Sequence, residues 1–288
     1  MTGYEPGVTP LLPGGRATVP FALAADPYEA GYVYFPGLLR PAALDPVRAV
    51  VRRYAEAAGW VRPEPGNPPW FHAAPEARIG CAWKDPRWIE LQRIIFASPE
   101  FATLAGARPL MKALRRILGE PALRALSNFC WLRLPGEPAQ TTGPHQDSFY
   151  LPHAPALWTA WIPVVDIPMD LGPIALVPGS HREGPRLHRD AFSGVEVGDE
   201  EAWATGPLAP GDVVLFGAQT IHCAWSNTTP DLVRAAFDIR YEPRSVATLN
   251  PAPSSGAARR PRRRRRRQAD QAPGVWVPIP PTTGPTGT

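Results

Sequence analysis

Apolar positions in the first half of the chain recur at helical spacing. Asp45-Pro46 opens one such run, a capping Asp followed by Pro at the first helical position, with Val47, Val50, Val51 and Tyr54 on one face and Gly59 at its end. Asp85-Pro86 repeats that start, with Trp88, Leu91 and Ile95 in phase, and a further helix runs through Leu110, Leu114 and Ile117 to Gly119. Stripes of this kind are core faces, so these helices are expected to brace a sheet. A short strand is expected within Gly31–Gly37, and residues 60–80, with five prolines and no clear period, read as loop. From Ser127 the period becomes extended. Asn128–Leu134 reads as a strand ended by Pro135-Gly136. More short strands follow around His145 and at Trp158–Val165, Ile174–Val177, Val213–Phe216, His222–Trp225 and Arg234–Tyr241. Short strands parted by Gly and Pro turns predict a sandwich or jelly roll, mainly β with flanking helices. Residues 183–207 form an insertion between strands.

Composition sets the boundaries. With 288 residues of which 44% are apolar, the chain can build a sizeable core. Residues 1–25 are rich in Gly and Pro and read as a loose N-terminal arm, residues 26–247 as the folded body. Residues 248–288 are dominated by Pro, Ser, Gly and Arg, too little apolar surface to order themselves, and read as a disordered tail. The formal net charge of +4 belongs to that tail: of 30 Lys and Arg, the eight at Arg259, Arg260 and Arg262–Arg267 leave 22 against 26 Asp and Glu. The body is therefore mildly acidic, and nucleic acid or anionic membrane would be met only nonspecifically, through the arginine run. Three cysteines, Cys81, Cys130 and Cys223, with no CxxC pair, point to reduced thiols and a cytoplasmic protein. No apolar run is long enough to span a bilayer, and no basic-then-apolar leader opens the chain.

The candidate chemistry lies in Gly143-Pro144-His145-Gln146-Asp147. Alternate side chains of an extended segment share a face, so His145 and Asp147 project to one side. One imidazole and one carboxylate are two-thirds of a 2-His-1-carboxylate set, which holds a divalent ion and leaves positions open. His222 is the candidate third ligand. It lies 74 residues beyond Asp147, so only the fold brings the two halves together. Taken alone, His-x-Asp is commonly a hydrogen-bonded surface pair, and a zinc site is the chemical rival of an iron one. Arg234 follows His222 by 12 residues on the next strand, and its planar fork suits a carboxylate. Arg240 shares that face and is the alternative anchor; a surface ion pair of Arg234 with Asp231 or Asp238 is the plain alternative.

The surroundings are more specific. Trp158-Thr159-Ala160-Trp161-Ile162-Pro163, Pro178-Gly179-Ser180-His181, Gly211–Phe216 and the series His222, Asn227, Arg234, Tyr241 stand in order around the triad. Together they resemble the phytanoyl-CoA dioxygenase family of Fe(II)/2-oxoglutarate oxygenases over about residues 30–243. The resemblance implies a double-stranded β-helix, the cupin-like jelly roll, with His145, Asp147 and His222 holding Fe(II) between its sheets. It implies 2-oxoglutarate and O2 as cosubstrates, with Arg234 on the far carboxylate and Trp161, Phe129 and Lys84 as further contacts. It implies hydroxylation of a small organic molecule with release of succinate and CO2. The carboxylate Asp147 occupies the position that related halogenases leave to chloride. The turn at Pro178–His181 is expected to be structural, and His72, His153 and His188 are set aside as ligands. Phe149–His153 with Trp131, Arg133 and Trp225 would form an aromatic pocket. In one respect the chain departs from the family: Ala224 stands where a serine often bonds the cosubstrate, leaving more to Arg234 or to Ser226. Two alternatives share parts of this pattern, a nucleic-acid demethylase with the same iron chemistry and a cupin-type metal lyase or isomerase.

Overall fold

The computed structural model describes residues 18–22, 26–66, 68–79, 85–125, 127–136, 143–188, 194–199 and 201–247. In chain order these build β1 (Thr18–Val19), α1 (Pro27–Ala30), β2 (Tyr32–Phe35), α2 (Asp45–Ala57), α3 (Pro86–Ala97), α4 (Pro99–Ala105) and α5 (Arg108–Leu118). There follow β3 (Ala122–Arg124), β4 (Phe129–Arg133), α6 (Asp147–Tyr150), β5 (Trp158–Pro163), β6 (Ile174–Leu176), β7 (Trp203–Ala204), β8 (Val213–Gly217), β9 (His222–Ala224) and β10 (Arg234–Pro243). Two sheets face each other. The smaller has the order β1-β7-β6-β9, and the larger β2-β8-β5-β10-β3, with β4 beside β3 along the same edge of β10. This is the jelly roll that the strand pattern and the family resemblance imply.

The helices cover the outer face of the large sheet for the reason their stripes predict. In α2 the residues Val47, Val50, Val51 and Ala55 are buried, in α3 Trp88, Leu91 and Ile95, and in α5 Leu110, Leu114 and Ile117. Successive residues of β10 divide between two worlds. Phe237 meets Phe101 of α4 at a ring distance of 5.6 Å, and the Tyr241 hydroxyl donates to the Ala105 carbonyl at 2.7 Å. Arg234, Ala236, Asp238 and Arg240, alternating with these, look inward toward the small sheet. Gln92 of α3 is buried and clamps β4, donating to the Cys130 carbonyl at 2.9 Å and accepting from its amide at 2.8 Å. An unpaired amide there would cost about 1–3 kcal/mol.

Several expectations shift in detail. Asp85 caps α3 by accepting from the Arg87 amide, but Asp45 lies inside the first turn of α2 and pairs with Arg48, with Leu44 at the cap position. A separate helix, α4, precedes α5; Ser98 caps it by accepting from the Phe101 amide at 3.2 Å. Thr18–Val19 pairs in parallel with Trp203–Ala204, so this piece of the expected loose arm forms the edge strand of the small sheet. That same pairing places part of the 183–207 insertion inside a sheet. The remaining residues of the arm, apart from 20–22, and the tail from 248 lie outside the described residues. Cys130 and Cys223 are buried and form no disulfide among the described residues, and Cys81 also lies outside the described residues. Among the described residues no helix is long and apolar enough to cross a membrane.

Candidate metal centre

The segment expected as a strand around His145 is shorter than a strand. His145 forms an isolated antiparallel bridge with His222 of β9, its amide donating to the His222 carbonyl at 2.9 Å and its carbonyl accepting from the His222 amide at 3.0 Å. Directly opposed residues of such a pair present their side chains on one face, and the two imidazoles lie 4.2 Å apart between centroids. Gln146 is extended (φ −116°, ψ 131°), which returns Asp147, the first residue of α6, to that same face. One extended residue, rather than a strand, thus does what the alternation argument required. Donor atoms of His145, Asp147 and His222 all lie within 4.8 Å of one another.

Hydrogen bonding prepares both imidazoles. His145 Nδ1 lies 2.8 Å from the Gly143 carbonyl and His222 Nδ1 lies 3.0 Å from the Thr220 carbonyl. A carbonyl only accepts, so each ring carries a proton on Nδ1, which leaves Nε2 as the atom for a metal. Burial, reinforced by the nearby His222, lowers the His145 pKa to about 3, which keeps that ring neutral. Burial by itself would raise the Asp147 carboxyl. The Arg240 guanidinium and His222 more than offset it and hold the group below the usual carboxylate range. Arg240 Nη2 donates to Asp147 Oδ1 at 2.7 Å, and Thr159 Oγ1 donates to Oδ2 at 2.7 Å. Oδ2 accepts a second bond from Arg240 Nε at 3.3 Å, whereas Oδ1, with one donor, retains a lone pair, so the two imidazoles and this anionic carboxylate fit a divalent ion of the Fe(II) or Zn(II) kind.

The surrounding loops hold this geometry. Gln146 points away from the triad and is buried. Its Nε2 donates to the Gly184 and Gln219 carbonyls at 3.0 and 2.7 Å, and its Oε1 accepts from the Arg186 amide at 2.8 Å. The Gln146 amide donates to His188 Nε2 at 3.2 Å, and the His188 ring stacks on Phe149 at 4.1 Å. In the Pro178–His181 turn, Ser180 Oγ accepts from the Ile221 amide at 2.9 Å, fixing the chain one residue before His222. Gly194 has φ +70°, and a Cβ there would stand 1.9 Å from the Pro144 carbonyl oxygen, so glycine lets the 194–198 segment press onto the chain next to His145. Sequence reasoning missed Gln146, Thr159, Ser180 and the pairing of Arg240. The signal available was the even spacing of Arg240 from Arg234, which was read only as a second anchor.

Arg234 is 1% exposed at the start of β10. Its Nη1 donates to the Gly172 carbonyl at 2.7 Å, and its buried Nε meets no partner among the described residues. Burial lowers its pKa to about 10, which leaves it cationic at neutral pH. Asp231, one of its two expected surface partners, pairs instead with Arg62 and His72. Phe129 of β4 and Trp161 of β5 are buried and flank Asp238 of β10 at one register, on the inward face. Lys84 lies outside the described residues. Trp225 packs with Val195, Val197, Trp203 and Cys223. His181 Nε2 reaches the Tyr28 carbonyl at 2.9 Å, a turn contact.

Residues 28–236 match the family model described as phytanoyl-CoA dioxygenase (PhyH). The chain belongs to this family. Among curated relatives, the 1-deoxypentalenic acid 11-beta-hydroxylase of Streptomyces exfoliatus is 30% identical over 50% of this chain and 59% of its own. The enzyme of that name from Streptomyces arenae is 34% identical over 41% and 48%. The chain thus spans only about half the length of these relatives. Of solved structures, the epimerase SnoN in complex with Fe3+, alpha ketoglutarate and nogalamycin RO is 25% identical, with a TM-score of 0.57 over 82% of this chain and 91% of that one. The alpha ketoglutarate dependent carbocyclase SnoK from nogalamycin biosynthesis is 26% identical, with a TM-score of 0.54 over 76% and 81%.

Proposed function

We propose that this PhyH-family protein is an Fe(II)/2-oxoglutarate-dependent dioxygenase that hydroxylates a small organic molecule. The observation that carries this reading is the pairing of a three-donor cluster, His145, Asp147 and His222, with a buried cation, Arg234, whose Nε is unpartnered. Fe(II) with 2-oxoglutarate supplies the activation of O2 that turns the oxo-acid into succinate and CO2 while oxidising the substrate. The chain's own groups do the rest. His145 and His222 offer Nε2 donors, each ring oriented by a backbone carbonyl. Asp147 offers the anionic donor and is kept ionised by Arg240 and Thr159. Arg234 takes the far carboxylate of the cosubstrate, and its burial makes that charge-assisted pair stronger than one in water. Arg240, engaged by Asp147, is the less suitable anchor. Phe129 and Trp161 wall the cosubstrate path on either side of Asp238 and keep water from it.

The relatives named for a hydroxylase of 1-deoxypentalenic acid support a compact natural-product substrate. The neighbours named as an epimerase and a carbocyclase favour a second outcome from the same site, in which hydrogen abstraction from a C–H bond ends in ring closure, with net loss of two hydrogens, or in epimerisation, with the two remaining electrons drawn from an added reductant such as ascorbate. A demethylase of nucleic acids and a lyase have no such support. The deciding experiment incubates anaerobically Fe(II)-loaded protein with 2-oxoglutarate and a panel of terpenoid and polyketide acids, admits O2 and measures succinate and product mass. A product 16 Da heavier supports hydroxylation; a product 2 Da lighter, or one of unchanged mass formed when ascorbate is added as reductant, accompanied by succinate, supports the second outcome. Absence of 2-oxoglutarate binding by the Fe(II)-loaded protein would contradict the reading.

A further inference from the structure

Asp238 is a carboxyl group with unfinished hydrogen bonding. It sits on the inward face of β10 between Arg234 and Arg240, flanked at one register by Phe129 and Trp161. Its Oδ2 accepts from the Trp131 indole at 2.5 Å, whereas its Oδ1 is buried and meets no partner among the described residues. A buried acceptor left without a donor is costly, so such an atom calls for a ligand. The second unpartnered polar atom on this face is Nε of Arg234, four residues along the same strand. Arg240, the neighbour on the other side, is committed to Asp147. Asp238 therefore lies between the metal cluster and the cationic anchor, along the path that an oxo-diacid would take. Ala236, the residue between it and Arg234 on that face, leaves the path open.

We propose that Asp238 touches the cosubstrate, its Oδ1 carrying a proton and donating it to an oxygen of the bound oxo-acid. This rests on the reading of Arg234 as the cosubstrate anchor. Charge decides the direction of the hydrogen bond. A dianion next to an ionised carboxylate is repelled, and a neutral carboxylic acid is a donor. The groups facing Asp238 are Arg240 and Arg234 on its own strand, Trp131 across on β4, and Asp147 and His222 from the metal side. Burial raises its pKa and Asp147 adds to this, while Arg240, Trp131 and His222 oppose it without reversing the direction. The donor so formed supplies what the chain lacks at Ala224, where no side-chain hydroxyl is available.

The test is binding of 2-oxoglutarate to anaerobic Fe(II)-loaded protein, read by titration calorimetry, for the wild type, Asp238→Asn and Asp238→Leu. Asparagine keeps a donor at the site, through its amide; leucine keeps none. The expected result is an affinity within about threefold of wild type for Asp238→Asn and a loss of tenfold or more for Asp238→Leu, roughly the worth of one hydrogen bond to a charged group. Leucine binding as tightly as wild type, or tighter, overturns the proposal, because an ionised carboxylate facing the dianion would be relieved by its removal. Metal stoichiometry and the thermal transition of each variant identify misfolding. If Asp238→Leu does not fold, Trp131→Phe, which frees Oδ2 and loosens the carboxyl, must weaken binding at least threefold or the proposal fails. A wild type that does not bind 2-oxoglutarate removes the underlying functional reading, whereas binding by wild type with an indifferent Asp238→Leu removes this inference alone.

Discussion

Replacing Arg240 by Leu separates its two candidate roles. In the structure Arg240 is 6% exposed, and its guanidinium holds the carboxylate of Asp147, itself 1% exposed, through Nη2 at 2.7 Å and Nε at 3.3 Å. Removing one partner of a buried pair costs about 3–5 kcal/mol, because it strands the other charge. The stranded carboxyl has an escape. Protonating an aspartyl group of ordinary pKa at pH 7 costs about 4 kcal/mol, so the metal-free variant should lose about 3–4 kcal/mol at that pH. For a folded body of this size that is a fall of roughly 6–16 °C in Tm. The pH dependence has a definite sign. Asp147 is depressed in the folded protein, so its contribution is present above the ordinary aspartate value and is lost as pH falls below about 4. The stability gap between wild type and variant should therefore close on acidification, by about 1.4 kcal/mol per pH unit while the variant's carboxyl is protonated and the wild type's is not. With a divalent ion bound, the ion supplies the missing counter-charge and the gap at pH 7 should be less than half as large. By linkage, the folded variant should then bind the ion more tightly. Guanidinium denaturation of metal-free and metal-loaded protein between pH 4 and 8 measures all of this. A loss under about 1 kcal/mol in the metal-free variant, accompanied by a large rise in the 2-oxoglutarate concentration required, would refute the pairing role and make Arg240 the anchor.

Three further outcomes are expected. His145→Ala, His222→Ala and Asp147→Gly should each abolish stoichiometric Fe(II) binding while leaving the far-ultraviolet circular dichroism spectrum near wild type; retained iron in His222→Ala would remove it from the ligand set. Arg234→Leu should raise the 2-oxoglutarate dissociation constant by more than tenfold, since losing a desolvated charge-assisted pair costs about 2–5 kcal/mol, with metal affinity unchanged. Gln146→Leu removes three bonds to the backbone of residues 184, 186 and 219, each worth about 1 kcal/mol, and should increase hydrogen exchange and proteolytic cutting in the 183–188 segment more than elsewhere; uniform exchange across the body would mean that Gln146 does not anchor that segment.

The periodicities of the chain by themselves determined the larger plan. Helical stripes such as Val47, Val50 and Val51 have to face a core, and alternating runs such as Trp158–Pro163 have to lie between layers, so the helices, most strands and the jelly roll were legible. The His145-x-Asp147 spacing was also sufficient to put two donors on one side, because it needs only a single extended residue between them. Local sequence carries no account of where its hydrogen bonds end. Gln146 bonds to backbone 38 to 73 residues away, and the Arg240 fork closes on a carboxylate 93 residues earlier in the chain. Such partners are chosen by register and sheet packing, which no short window specifies. The same holds for Thr18–Val19: two residues without a periodic signal become an edge strand only because Trp203–Ala204 offers an unpaired ladder. Sequence thus named His222 and Arg234 as candidates. Only the tertiary structure brought His222 to within 4.8 Å of the other donors, committed Arg240 to Asp147, and left the Arg234 Nε and the Asp238 Oδ1 unpartnered on the inward face.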